Sequence, residues 1–170
     1  MLEQAMSRKI ADLSDAELTE YSKKHILYEI HMLAGSANLM ACDVAAGDPG
    51  LEWALGNSRV ESFAIHTRNL VDFLYPRHPC DTDVTAAAFL LDGTALRPMT
   101  QELHTARRRA DKEVAHLTTS RRDDGDPGKL WAPSLLTEIF RVLDEFARAA
   151  IPSKLDVSIG EYVRPNGAQV

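Results

Sequence analysis

Apolar side chains recur at spacings of three and four along most of this chain, which places them on one face of an α-helix. The first long helix is predicted over about residues 15–42, and its apolar stripe consists of Ile26, Ile30, Leu33 and Ala37. Its start is marked by Ser14-Asp15-Ala16-Glu17, a capping box in which two side chains bind backbone N–H groups reciprocally. A second stripe follows another face, through Tyr21, His25, Tyr28 and Met32. A helix with two such faces lies at the centre of a bundle or against a partner chain.

The same periodicity predicts three more long helices. They cover about residues 58–75, 99–119 and 133–152, and a short helix is expected at about 82–91. The first of them begins at a second capping-box pattern, Ser58-Arg59-Val60-Glu61, and ends before Pro76, because proline disfavours helix in the preceding residue. No strand pattern competes. The sequence therefore predicts an all-α fold, a single-domain up-and-down bundle of four long helices plus short helices.

The chain of 170 residues has the length of one domain, 1–170, with its core expected within 15–150. The tail, 152–170, has a weak pattern, and 154–163 is expected to be extended or disordered. The net charge of −6 argues against a general nucleic-acid coat and against a polybasic membrane binder, although it allows a small local basic site. No signal peptide or membrane-spanning run is recognisable, and Cys42 and Cys80 form no CxxC pair, so a cytoplasmic protein is expected.

One segment of the third long helix suggests specific chemistry. Arg109 and His116 are seven residues apart in Arg-Ala-Asp-Lys-Glu-Val-Ala-His, so a regular α-helix directs both side chains from one face. A guanidinium binds phosphate, and an imidazole titrates near neutral pH, which makes the two a candidate RNA-cleaving pair. Arg109 would hold the scissile phosphate while His116 deprotonates the ribose 2′-hydroxyl. The structural alternative is a surface network in which Glu113 pairs with Arg109 at i, i+4.

This segment and the preceding helix, Glu61–Tyr75, resemble small bacterial all-helical proteins of the HEPN superfamily over about residues 15–150. The recognisable motif of that superfamily is an arginine, four to six residues, and a histidine, and six residues separate Arg109 from His116 here. Active members often carry a polar residue directly after the arginine, where this chain has Ala110. The resemblance implies a helical bundle that dimerises and acts as a metal-independent ribonuclease or toxin component, with no cofactor.

The resemblance also implies roles for further residues and partners. Polar side chains of the preceding helix support the site in HEPN-like proteins, and His66 and Asn69 are the candidates here, together with Glu113. The motifs of two subunits tend to face each other, so a homodimer would bring two Arg109 side chains together as a local cationic patch for RNA. An antitoxin-like protein is the second partner implied. The rest of the triplet Arg107-Arg108-Arg109 is expected to be mostly solvated, because successive helical residues point about 100° apart.

Two other functions stay open. His25, His66 and His116 fall on three predicted helices, and a bundle can bring three histidines together as a metal site with an open position. The other alternative is a non-catalytic helical interaction or regulatory module that has lost activity. The pair Arg68 and Asp72 is expected to form a salt bridge at i, i+4 in any of these cases.

Overall fold

The structure is a computed structural model that describes residues 9–42, 46–114, 131 and 133–164. All regular secondary structure in these residues is helical, which confirms the all-α prediction. In chain order the α-helices are α1 (Asp15–Tyr21), α2 (Leu27–Met40), α3 (Pro49–Leu74), α4 (Gln101–Arg109), α5 (Pro133–Ala149) and α6 (Val157–Val163). There are also 3₁₀ turns at Ile10–Asp12 and Ala86–Phe89, and π-helical turns at Ser22–Ile26 and Ala110–Val114.

The first predicted helix is confirmed as a continuous helical segment, in which α1 passes through a π-helical turn into α2. Its predicted capping box is present, because Ser14 Oγ accepts from the Glu17 N–H at 3.3 Å and Glu17 Oε2 accepts from the Ser14 N–H at 2.9 Å. The predicted apolar stripe is buried at Ile26, Ile30 and Leu33. The segment therefore packs one face into the core, while Tyr28 on the second stripe is 52% exposed.

The predicted start of the second long helix is wrong, because α3 begins at Pro49 rather than near Ser58. Asp48 caps the helix by accepting a hydrogen bond from the Leu51 N–H at 2.8 Å, and proline suits the first helical position because it needs no N–H partner there. Ser58 instead donates its hydroxyl to the Ala54 carbonyl inside the helix, at 2.8 Å. The predicted end before Pro76 is confirmed.

Three phenylalanines form the aromatic centre of the core. Phe73, Phe89 and Phe146 contact one another edge to face, with ring centroids 5.2 to 6.0 Å apart. Phe89 comes from the 3₁₀ turn at Ala86–Phe89. This turn is shorter than the helix predicted over 82–91. The turn is held to the end of α5 by a hydrogen bond from the Ile151 N–H to the Phe89 carbonyl, 2.8 Å.

The C-terminal segment forms a helix, α6, where the sequence predicts an extended or disordered piece. Asp156 caps it by accepting from the Ser158 N–H at 2.9 Å, and Ile159 and Val163 are buried. A seven-residue helix with two buried positions is too short to give a periodic pattern, which explains the error. Across the described ranges, the helices all fall short of the length and apolar character that a membrane span requires.

Candidate functional site

The segment with the predicted catalytic pair is helical as far as it is described, but it is not a regular α-helix. Arg109 is the last residue of α4, and Ala110–Val114 is a π-helical turn. Such a turn holds an extra residue, which shifts the direction of later side chains by about 100°. The side chains after Arg109 therefore do not follow the regular 100° spacing from which Arg109 and His116 were expected to share one face. His116 and the side chain of Glu113 lie outside the described residues, so the pair itself stays a prediction.

Arg109 packs against an aromatic ring. Its guanidinium carbon lies 4.5 Å from the centroid of the Trp131 ring, and Trp131 is in turn edge-on to Phe63, at 5.6 Å between centroids. Trp131 is buried, with 8% of its surface exposed. A cation over an indole face is attracted by the ring quadrupole, so this contact fixes where the guanidinium lies.

Five charged side chains meet beside the start of the π-helical turn, and we call them the arginine–aspartate cluster. They are Arg68, Asp72, Arg77, Arg107 and Asp111. Asp111 Oδ2 accepts a hydrogen bond from Arg77 Nη2 at 2.6 Å, and its Oδ1 lies 2.8 Å from Arg68 Nε. The second of these contacts is an ion pair without hydrogen-bond geometry. Asp72 adds weaker contacts of 3.4 Å to Arg107, 3.6 Å to Arg68 and 3.9 Å to Arg77.

Arg107 is the buried member of the cluster, with 8% of its side chain exposed. The prediction that the arginine triplet is mostly solvated is therefore wrong at this position. A buried guanidinium must be paired, and Arg107 donates from Nη1 to the Tyr75 carbonyl at 2.8 Å, at the end of α3, as well as to Asp72. The predicted Arg68–Asp72 pair is confirmed, although Arg68 is closer to Asp111.

The cluster joins three parts of the chain and keeps a surplus of positive charge. Its residues come from α3, from the loop after α3, and from α4 with its π-helical extension. Three guanidinium groups face two carboxylates, so the cluster itself carries one formal positive charge. Arg68 and Arg77 are 40% and 49% exposed. The hydrogen bond that Arg77 donates to Asp111 raises the pKa of Arg77 above its ordinary value, so the guanidinium stays charged.

The predicted supporting residues His66 and Asn69 come together on a carboxylate that the sequence analysis missed. Glu29 Oε2 lies 2.7 Å from His66 Nδ1, and it accepts a hydrogen bond from Asn69 Nδ2 at 3.1 Å. His66 is buried and meets the Tyr28 ring edge-on, at 5.8 Å between centroids. The sequence carries a signal for this site, because Glu29 is the one acidic residue between positions 21 and 42 and stands in a largely apolar helix.

A cleft of about 640 Å³ opens between the α1–α2 segment, the second half of α3 and the loop that follows it. Its walls carry aromatic and polar groups: Tyr21, His25, Glu29, Asn69, Asp72, Arg77, His78 and Asp83. Arg77 belongs both to the cleft and to the arginine–aspartate cluster, so the two adjoin. Burial raises the pKa of Tyr21, and the charges of Glu29 and Asp83 raise it further, which keeps its hydroxyl protonated and able to donate.

The three histidines of the metal alternative have different surroundings where the structure describes them. His25 is exposed at the cleft and packs on Tyr21, with ring centroids 4.6 Å apart, whereas His66 is bound to Glu29. Within the described ranges, no three histidine, cysteine, aspartate or glutamate side chains are grouped closely enough to hold a metal ion. His116, the third proposed ligand, lies outside them.

Comparison with known proteins adds no further information about the site. No protein-family model, curated protein or solved structure matches the chain.

Proposed function

We propose that this chain is a HEPN-like RNA-binding protein that cleaves RNA without a metal ion, as a cytoplasmic component of a toxin system. The proposal includes an up-and-down bundle of four long helices. The observation that carries it is the arginine–aspartate cluster, a site of surplus positive charge on a protein of net charge −6. A local cationic site of this kind can bind a polyanion that the protein as a whole repels.

The position of the cluster relates it to the predicted catalytic segment. Asp111 stands two residues after Arg109, so the ion pairs of Asp111 with Arg68 and Arg77 attach this segment to α3 and its following loop. The half-exposed guanidiniums of Arg68 and Arg77 can donate to phosphate oxygens, which guanidinium groups bind through paired N–H donors. Arg109 stands two positions from Arg107 in α4 and points about 200° away from it around the helix, so a strand bound at the cluster would have to pass around α4 to reach Arg109.

In the reaction we propose, His116 takes the proton from a ribose 2′-hydroxyl, and the 2′-oxygen attacks the adjacent phosphorus. The bond from phosphorus to the 5′-oxygen breaks, and that oxygen takes a proton from water. Arg109 stabilises the negative charge that develops on the phosphate oxygens. Stacking on Trp131 is compatible with this role, because the N–H bonds of a guanidinium lie in its own plane and not on the face that meets the ring.

The supporting residues act at a distance from the phosphate in this proposal. Glu29 holds His66 and Asn69 through one carboxylate oxygen, which fixes α3 against α2 close to Arg68. Glu113, between Arg109 and His116 in sequence, would orient the imidazole. The α3 side chains would thus set the position of the helix that carries the catalytic pair.

The test is cleavage of a single-stranded RNA in the presence of EDTA. We expect cleavage by the wild-type chain and a rate reduced by about 100-fold or more in Arg109→Ala and in His116→Ala. This is the scale of loss when one charge-stabilising or proton-transferring group is removed. Arg108→Ala and His104→Ala are matched controls, because both side chains are exposed on α4, and these variants should retain activity. Equal loss in the control variants, or no cleavage by any chain, contradicts the proposal.

A separate observation favours a second candidate, the non-catalytic interaction module. The first half of α3 exposes large apolar side chains, with Trp53 74% and Leu51 50% exposed, and Leu39 near the end of α2 is 52% exposed. Such side chains are typical of a surface that a partner covers, here a second copy of the chain or an antitoxin-like protein. Sedimentation of the wild type and of Trp53→Ser tests whether a second copy covers this surface, since a homodimer that uses it should dissociate in the variant. RNA cleavage by the wild type would contradict the non-catalytic module.

A further inference from the structure

The cleft beside the arginine–aspartate cluster has a chemistry that the cleavage reaction does not use. Apart from Asp72 and Arg77, which belong to the cluster, its described lining includes the carboxylates of Glu29 and Asp83 and no lysine or arginine. A phosphate placed inside would meet this excess of negative charge. The lining instead suits a neutral group with several hydrogen-bond donors, because carboxylates are strong acceptors.

The wall formed by the α1–α2 segment supplies an aromatic surface. The Tyr21 and His25 rings lie 4.6 Å apart between centroids and are tilted by 45° to each other, so a flat base can stack on only one of them, and His25 is the exposed one. Flat aromatic side chains at an accessible wall are the surfaces on which unstacked nucleic-acid bases pack. The volume of about 640 Å³ falls within the range of pockets that enclose one small organic molecule.

The polar groups lie close to this aromatic wall. Glu29 and Asp83 line the same cleft as Tyr21, and their charges help to raise the pKa of its hydroxyl. Asp83 uses Oδ2 to accept from the Cys80 N–H at 2.8 Å, and this hydrogen bond holds the loop and its carboxylate in place. Carboxylates at the edge of a stacked base accept hydrogen bonds from exocyclic amino groups, as they do from the N4 amino group of cytosine.

We infer that the cleft binds the base of one nucleotide of single-stranded RNA, stacked on His25 beside Tyr21, and that it selects a base with an exocyclic amino group over uracil. The phosphate of that nucleotide would lie outside the cleft, at Arg77 and the rest of the cluster. The inference rests on the proposed function, which identifies the bound strand as RNA. It adds to that function the class of nucleotide that is bound and the groups that set the base preference.

The test uses 5′-CMP and 5′-UMP, titrated into the full-length chain and followed by NMR. CMP has a 4-amino group where UMP has a 4-carbonyl, and its N3 is an acceptor where that of UMP is an N–H donor. We expect CMP to bind at least fivefold more tightly than UMP, the scale of discrimination by one well-placed hydrogen-bonding pair. CMP should also shift the signals of Tyr21 and His25. Ribose 5-phosphate, which has the phosphate but no base, should leave those signals unchanged.

A matched pair of variants checks the stacking wall. His25→Ala should weaken CMP binding roughly tenfold, as expected for the loss of one stacking partner. His31→Ala is the control, because His31 is also exposed and packs on a tyrosine, Tyr162, at 4.5 Å between centroids, but does not line the cleft. Tyr21→Phe is a conservative variant that removes the hydroxyl and keeps the aromatic ring. Its melting temperature shows whether the variant chain is folded.

The outcomes separate this inference from the proposed function. Equal dissociation constants for CMP and UMP, no binding of either, or equal effects of His25→Ala and His31→Ala would overturn the base pocket, even where Arg109-dependent cleavage is seen. Conversely, CMP selectivity that His25→Ala removes, in a chain that cleaves no RNA, would support the pocket and contradict the catalytic proposal.

Discussion

Replacing Asp111 by alanine is the perturbation that tests how firmly the predicted catalytic segment is attached to α3. The side chain is 15% exposed, donates no hydrogen bond itself, and accepts one from Arg77 while forming an ion pair with Arg68. A hydrogen bond to a charged group contributes about 1.5–3 kcal/mol when shielded from water. Since Arg77 and Arg68 are 49% and 40% exposed, solvent screening lowers each contact to at most about 1 kcal/mol.

We therefore expect Asp111→Ala to lower the free energy of unfolding by about 1–2 kcal/mol, with a fall in melting temperature of about 2–4 °C per kcal/mol. Thermal and urea unfolding measure the loss, and a double-mutant cycle with Arg77→Ala isolates the pair, for which we expect a coupling energy of about 0.5–1 kcal/mol. The control is the intrahelical pair of Asp144 and Arg148, at 2.9 Å on α5, for which about 0.3–0.5 kcal/mol is expected. A coupling energy for Asp111 no larger than that of the control refutes the reasoning.

Three further predictions concern the core, a buried carboxylate and a cap. Phe146→Ala should cost about 3–5 kcal/mol in urea unfolding, because the ring is fully buried between Phe73 and Phe89; a loss below 1 kcal/mol contradicts this packing. Burial alone would raise the pKa of Glu145. The hydrogen bonds that the side chain and backbone of Arg97 donate, together with the positive charge of Arg97, outweigh burial and lower this pKa. A lowered folded pKa means that the stabilisation is present above the ordinary glutamate pKa of about 4.3 and is lost as the pH falls through the folded value. The stability difference between wild type and Glu145→Gln should therefore shrink below about pH 4, and a constant difference would count against it. Asp156→Ala should cost about 1 kcal/mol and increase hydrogen exchange in α6, whereas unchanged exchange there would show that the cap is dispensable.

Local signals in the sequence determine much of the fold. The capping box at Ser14 and the break at Pro76 act through neighbouring residues, so both could be predicted and both are confirmed. The start of α3 is also encoded locally, in Asp48-Pro49, whereas the capping-box pattern at Ser58 lies inside the helix. The π-helical turn at Ala110–Val114 has no signal in the spacing of apolar residues.

The candidate site was much less predictable, because its contacts join residues that are distant in sequence. Glu29 meets His66 across 37 positions, and Arg107 reaches the Tyr75 carbonyl across 32. Periodicity shows which face a side chain occupies but not which residue of another helix it meets. The burial of Arg107 follows from such a contact, so the sequence pattern of three consecutive arginines indicated a solvated face instead.

The most direct test of the central claim, that RNA phosphates bind at the arginine–aspartate cluster and at Arg109, is an NMR titration of the arginine side-chain Nε–H signals with a short single-stranded RNA. We expect the signals of Arg68, Arg77 and Arg109 to shift in a saturable manner. The signal of Arg148, exposed on α5, should stay in place. Shifts confined to Arg148 and similar surface arginines, or no saturable shift at the cluster, would contradict the account.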